Sequence, residues 1–337
     1  MIITRRLPMR TFGLFMARTL GIVGAWAGLV LAAYEWLDWS FLRVPFLPIA
    51  SIGTAVAFYI GFKNNSAYDR FWEGRKIWGG VVNVSRSWTA GVLSFVAPGH
   101  GEDAEVQAIK QELVYRHVAW VNALRLQLRK NSRFFHRPAV TTRRRLIRDA
   151  EIMRNDWKKE LEPFLPEDEL AHVTDVANGA THLLLAQGQQ LAALVDAGKL
   201  DLFRQLQLMG HVTECYTLQG KCERIKNTPF PRQYAEMSRV FVRVFVLLLP
   251  LGMLDVFSEA DTISLGNSVL MVISAALVGW VFLTMEGIGD SSEDPFERSM
   301  NDVPMNALSR TIEIDLREML GETELPEKEK PSGHILY

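Results

Sequence analysis

Side chains able to ligate a metal or move a proton are few and scattered in this chain. Seven histidines stand at positions 100, 117, 136, 172, 182, 211 and 334, and the two cysteines, Cys215 and Cys222, are seven residues apart. With His211 nearby, that spacing matches no zinc pattern. Helix packing accounts for the cysteines more simply, and two thiols in a polar helical stretch suit a reducing, cytoplasmic compartment. The acidic stretch EGIGDSSEDPFERSMND, 286–302, carries oxygen donors of the kind a hard cation takes, but such a run alone is ordinarily a solvated turn. The chain has no GxxxxGK[ST] phosphate loop, no HExxH and no GxSxG elbow. These features point away from an enzyme, and no cofactor or metal centre is expected.

A different chemistry is suggested by three residues in an apolar run. Thr54, Phe58 and Phe62 follow one another at i, i+4 and i+8 and so share one stripe of a helix, with Gly53, Ala57 and Gly61 on neighbouring faces where they permit close helix approach. On a lone helix such phenylalanines contact lipid or core. Around an axis shared by several copies they become stacked apolar rings, which gate water and ions by dewetting. Spacing alone leaves both readings open.

The elements that must carry the stripe are long and apolar. A bilayer core needs about 20 apolar residues in a helix. The segments 44–62 and 262–285 contain no charge, and 19–39 ends on Tyr34, Glu35, Trp36, Asp38 and Trp39, an interfacial mixture. The segment 239–254 is long enough if Arg239 and Arg243 snorkel to a headgroup layer. Four membrane helices result. Arg5, Arg6, Arg10 and Arg18 precede the first, basic residues fill 63–243, and the loop 255–261 has none. The positive-inside rule therefore places both termini and the long middle in the cytoplasm. At the end of the second span Lys63 is expected to meet water, with an aromatic and Arg cluster from Tyr68 to Trp78 following it without any breaker.

The fold expected is all-α. Residues 103–130 show apolar residues at three- and four-residue intervals, further helices are read around 143–164, 180–198 and 201–225, and Asp201 is placed as the N-cap of the last. The partition is 1–18, a cytoplasmic N-terminal segment; 19–64, spans one and two; 65–238, a cytoplasmic helical region; 239–285, spans three and four; 286–321, a cytoplasmic segment packing on that region; and 322–337, a loose polar tail. The basic run TTRRRLIR, 141–148, lacks aromatic interleaving and is followed by acidic residues, so it reads as a solvated face or one near anionic headgroups. With a formal net charge of −1 the chain has no global field for nucleic acid, and no nucleic-acid partner is expected.

The blocks GFKNNSAYDRFWEGRKIWG (61–79), CERIKNTPFPRQY (222–234) and EDPFERSMNDVPMNALSRTIE (293–313), in this order, resemble the bestrophin family in its bacterial form. The resemblance covers about residues 5 to 315. It implies a homopentameric, passive ion channel of the bacterial inner (cytoplasmic) membrane, with the second span lining a neck around a central pore and a cytoplasmic vestibule holding a second constriction. Position by position, the neck rings fall on Thr54, Phe58 and Phe62, where Thr54 departs from the bulky apolar residue usual in the family. The second constriction falls on Phe203, with Leu202 the alternative. The calcium clasp of animal members keeps only Asp294 and Asp302 here, with Arg298 where a carboxylate is expected, so these positions are vestigial and no calcium gate is implied. Chloride or other anion conduction follows from the family at large, and monovalent cation (Na+/K+) conduction from its bacterial side. The partners implied are further copies of the same chain, the lipid bilayer and small permeant ions. The competing reading is a membrane-anchored helical scaffold or sensor whose cytoplasmic region binds a partner.

Overall fold

The computed structural model describes residues 1–4, 9–97, 103–130, 154–258, 263–297 and 301–337, without the side chains of 9–12. Arg5, Arg6, His100, His136, the 141–148 run, loop residues 259–261 and Arg298 lie outside the described residues. Among the described residues the chain is helical, with two isolated antiparallel bridges near the termini and no strand. In chain order the helices are α1 Met9–Trp36, α2 Phe46–Phe95, α3 Ala104–Arg129, α4 Trp157–Leu161, α5 Glu167–Asp175, α6 Gly179–Asp196, α7 Leu202–Asn227, α8 Arg232–Phe257, α9 Leu265–Ser292 and α10 Met305–Met319.

The chain divides into two compact units. The span unit comprises Thr4–Asp69 and Phe230–Glu293, and the helical unit comprises Met1–Ile3, Arg70–Pro229 and Asp294–Tyr337. Helix α2 contributes to both, as one uninterrupted element of 50 residues.

In the span unit, α1, α8, α9 and the first half of α2 are each long and apolar enough to cross a membrane. Their shared core contains Ala27, Val30, Ile49, Val56, Ile60, Phe245, Leu249, Met271 and Ala275. Close approach rests on glycine. A Cβ at Gly53 would come within 2.6 Å of the Phe245 ring, and one at Gly279 within 2.8 Å of Val23. Gly61, by contrast, faces open space. The start of α2 is tied down by Asp255 of α8, whose carboxylate accepts from the Phe46 N–H (3.2 Å) and from Arg43 Nε (3.1 Å). A carboxylate at a helix N-terminus satisfies an orphan donor and faces the positive end of the dipole.

In the helical unit, α3 is buried on nearly every face. The alternation of its sequence suggests one wet side, but Arg116, His117, Asn122, Arg125 and Arg129 are buried alongside Leu113, Val118, Trp120 and Leu124. Arg116, His117, Trp120 and Arg125 each meet a polar group brought in by another helix. Arg116 meets the Glu169 carboxylate through two nitrogens (2.7 and 2.8 Å), and Trp120 Nε1 donates to Gln219 Oε1 (3.0 Å). The fully buried Arg125 pairs with Glu160 (2.7 Å) and also donates to Asn306 and to the Arg154 carbonyl. His117 lies between the rings of Trp88 and Trp120 and shares a hydrogen bond with Ser85 Oγ (2.9 Å). Burial pushes its imidazole down to about 3, with the His211 charge acting in the same direction, so it is neutral in the fold.

Both cysteines are core residues on α7, and burial raises both thiols far above their ordinary range. The polar segment 322–337 contacts α10 and the first residues of the chain. Arg317 pairs with Glu322 (2.6 Å), Ala307 N–H donates to the Tyr337 carbonyl (2.9 Å), and Ile3 N–H donates to the His334 carbonyl (3.1 Å).

Candidate functional site

On α2 the buried residues of the span unit recur as Ile49, Val56, Ile60, Lys63 and Ala67, a heptad-like phase facing α8 and α9. The opposite face, Leu47, Ser51, Thr54, Phe58, Phe62, Asn65 and Asp69, is exposed along its length. Phe58 is 78% and Phe62 63% exposed, although both are large aromatics in an apolar helix. Thr54 returns its hydroxyl proton to the Ala50 carbonyl (3.0 Å), which leaves the oxygen lone pairs turned outward. The stripe is therefore small and polar at one end, aromatic in the middle and polar again after Phe62. Tyr234 flanks it, with ring centroids 6.3 Å from Phe62 and 6.0 Å from Tyr59.

Lys63 corrects the expectation that it meets water. It is 1% exposed, and its ammonium lies 3.2 Å from Glu286 Oε1 and 3.7 Å from Asp290 Oδ1, both on α9. The reason is phase: Lys63 is three residues from the buried Ile60 and one from the exposed Phe62, so the helix turns its head inward. Arg239 of α8 reaches the same two carboxylates (3.0 Å to Asp290, 3.8 Å to Glu286) and Glu236 (3.0 Å). It is held by carboxylates rather than only snorkelling. Asn64 adds a bond to the Met285 carbonyl (3.0 Å). Three helices are thus clamped together by charge directly beside Phe62. Sequence reasoning missed this clamp, although the heptad phase of the buried residues on α2 already contains Lys63.

In the helical unit, Asp201 is the N-cap of α7 and accepts from the N–H groups of Phe203 (2.9 Å) and Arg204 (3.4 Å). The first turn projects outward, with Phe203 77% exposed and Leu202 and Leu206 also exposed. The two residues matched to the acidic clasp have structural partners or surroundings. Asp294 is 3.7 Å from Arg70, which also donates to the Ile225 and Thr228 carbonyls at the end of α7 (3.0 Å each). Asp302 is buried. Between them Phe296 packs on Gly74, where a Cβ would stand 3.2 Å from the ring. Among the described residues no three His, Cys, Asp or Glu side chains are grouped closely enough to hold a metal ion.

The sequence profile of the bacterial/fungal bestrophin proteins matches residues 15–318. The chain belongs to the bacterial/fungal bestrophin family. It is 27% identical over 306 residues to the voltage-dependent anion channel-forming protein YneE of Escherichia coli K12, covering 90% of this chain and 86% of that protein. It is 29% identical over 289 residues to the voltage-dependent anion channel-forming protein RSc3414 of Ralstonia nicotianae, covering 86% and 82%. The crystal structure of a bacterial bestrophin homologue from Klebsiella pneumoniae superposes with a TM-score of 0.74 at 23% identity, over 91% of this chain and 98% of that one. This bestrophin therefore shares the fold of that homologue across both of its units.

Proposed function

We propose that this bestrophin is the subunit of a passive anion channel, a homopentamer in the bacterial inner membrane with both termini in the cytoplasm. The observation that carries the reading is the exposed face of α2: a continuous stripe through Thr54, Phe58 and Phe62 that no described part of its own unit covers, backed by a face buried and charge-clamped at Lys63. Five copies of that stripe around an axis make a neck of stacked rings, apolar enough to empty of water when narrow. The neck wall is aromatic, and a phenylalanine ring presents its positive edge to an anion or its negative face to a cation. The anion-channel-forming relatives from Escherichia coli and Ralstonia nicotianae favour the anion. The region 65–238 then forms the cytoplasmic vestibule, with residues 286–321 packed on it and 1–18 before the first span. Phe203, with Leu202 as its neighbour, forms a second ring where the α7 N-terminus projects. The channel carries no calcium gate, since Arg70 already engages Asp294.

The rival reading, a membrane-anchored scaffold with a cytoplasmic partner, is separated from this one by reconstitution. Purified protein in a planar bilayer under a chloride gradient is expected to give discrete currents reversing near the chloride equilibrium potential. Protein that is folded and oligomeric yet silent at all voltages would favour the scaffold, and reversal near the potassium or sodium potential would assign cation conduction.

A further inference from the structure

We propose that His172 and His182 form a two-histidine clamp for a late divalent transition-metal ion, bridging α5 and α6 on the surface of the helical unit. Nothing in the channel mechanism uses either residue. His172 is exposed, His182 is half-buried, and their ring nitrogens Nε2 and Nδ1 lie 3.1 Å apart.

Two distances have the form a chelate requires. With metal–nitrogen bonds of about 2.05 Å, nitrogens at that separation subtend an angle of about 100° at a shared ion, between the octahedral and tetrahedral values. The ring centroids are 5.0 Å apart. Adding roughly 1.1 Å from nitrogen to ring centre on each side, a chelate places the centroids about 4.8 Å apart and a linear hydrogen bond about 5.3 Å apart, so the observed spacing admits a shared ion after a small rotation of the rings. The planes meet at 70°, leaving room for further ligands.

Both rings sit on helices anchored in the core. His172 follows Leu170 and precedes Val173, both buried, and His182 is one residue beyond Thr181, whose N–H is capped by Asn178 (3.1 Å). Glu169, one turn before His172, is committed to Arg116 and does not compete. Without metal, one imidazole N–H donates to the other's lone pair. With metal, the donor ring exchanges through solvent to its other neutral tautomer, so that both facing nitrogens offer lone pairs to the ion and each ring keeps one N–H, the remaining positions being filled by water. Neutral imidazoles and an open, water-filled remainder suit Cu2+, Ni2+ and Zn2+ in preference to Ca2+ or Mg2+, which take oxygen. The ion would staple α5 to α6 at their solvent-facing side.

The test uses the full chain in detergent and zinc chloride as the probe, with magnesium chloride as control. Isothermal titration is expected to show one zinc site per chain with a dissociation constant in the micromolar range. That site should weaken at least tenfold in His172→Ala and in His182→Ala, and disappear in the double variant. Zinc should raise the thermal midpoint of the wild-type protein and leave that of the double variant unmoved, with the metal-free midpoints equal. Equal zinc affinity in wild type and double variant, or no wild-type site tighter than millimolar, would overturn the proposal. If the metal-free midpoint of a variant falls, Gln at both positions, which keeps a hydrogen bond but binds zinc poorly, supplies the comparison.

Discussion

Residue-scale energetics turn on buried charge and on which side of a helix a side chain faces. Lys63 is an ammonium removed from water and matched to two carboxylates, and breaking such a pair leaves the remaining charges uncompensated at a cost of about 3–5 kcal/mol. Lys63→Met is therefore expected to lower the thermal midpoint of the solubilised protein and alter channel open probability, while the swap Lys63→Glu with Glu286→Lys recovers part of both. No recovery in the swap would show that the pair does not act as a unit. Arg125 obeys the same rule in the helical unit, where it bonds Glu160, Asn306 and the Arg154 carbonyl. His117 supplies a pH dependence of definite sign. Burial lowers its pKa from the ordinary 6.5 to about 3 on folding, so between those values the unfolded chain binds the extra proton and stability rises with pH. The contribution is complete above about pH 6.5 and declines on acidification at up to about 1.4 kcal/mol per pH unit. Denaturant unfolding of the wild-type protein and of His117→Gln at several pH values measures it, and the variant should have the shallower slope.

At the scale of elements, α2 carries the stripe on one face and is held on the other by α8 and α9. Gly53→Ala would drive a methyl into the Phe245 ring, which is itself packed on Phe282 at 4.6 Å between centroids, and such overpacking costs about 1–3 kcal/mol. Phe245→Leu, which frees that volume, should restore much of the thermal midpoint, whereas equal loss in the single and double variants would refute the close approach. The four long helices were legible in the sequence because apolar runs near bilayer length, with charge absent or confined to their ends, have few other uses, and the absence of a breaker after Phe62 foretold the continuity of α2. The Thr54, Phe58 and Phe62 stripe could be isolated by spacing, but its exposure depends on α8 and α9 filling the opposite face. The burial of α3 was not legible, since Arg116, Arg125 and His117 lose water only through Glu169, Glu160 and Ser85, residues remote in sequence. The same holds for Lys63 and its α9 carboxylates.

For the whole molecule, the proposed assembly gives the exposed stripe on α2 and the exposed first turn of α7 a shared role, with other copies completing the rings. Cross-linking of the detergent-solubilised protein should end at a pentamer, and currents should not respond to micromolar free calcium. Phe58→Ala and Phe62→Ala, which thin the apolar rings, should raise single-channel conductance about twofold or more by keeping the neck wet. The most direct test is the reversal potential of purified protein in a planar bilayer with chloride unequal on the two sides. The account predicts discrete currents that reverse near the chloride potential, with conductance changed by Phe58→Ala and Phe62→Ala. Silence from intact oligomers, or currents indifferent to both substitutions, would contradict it.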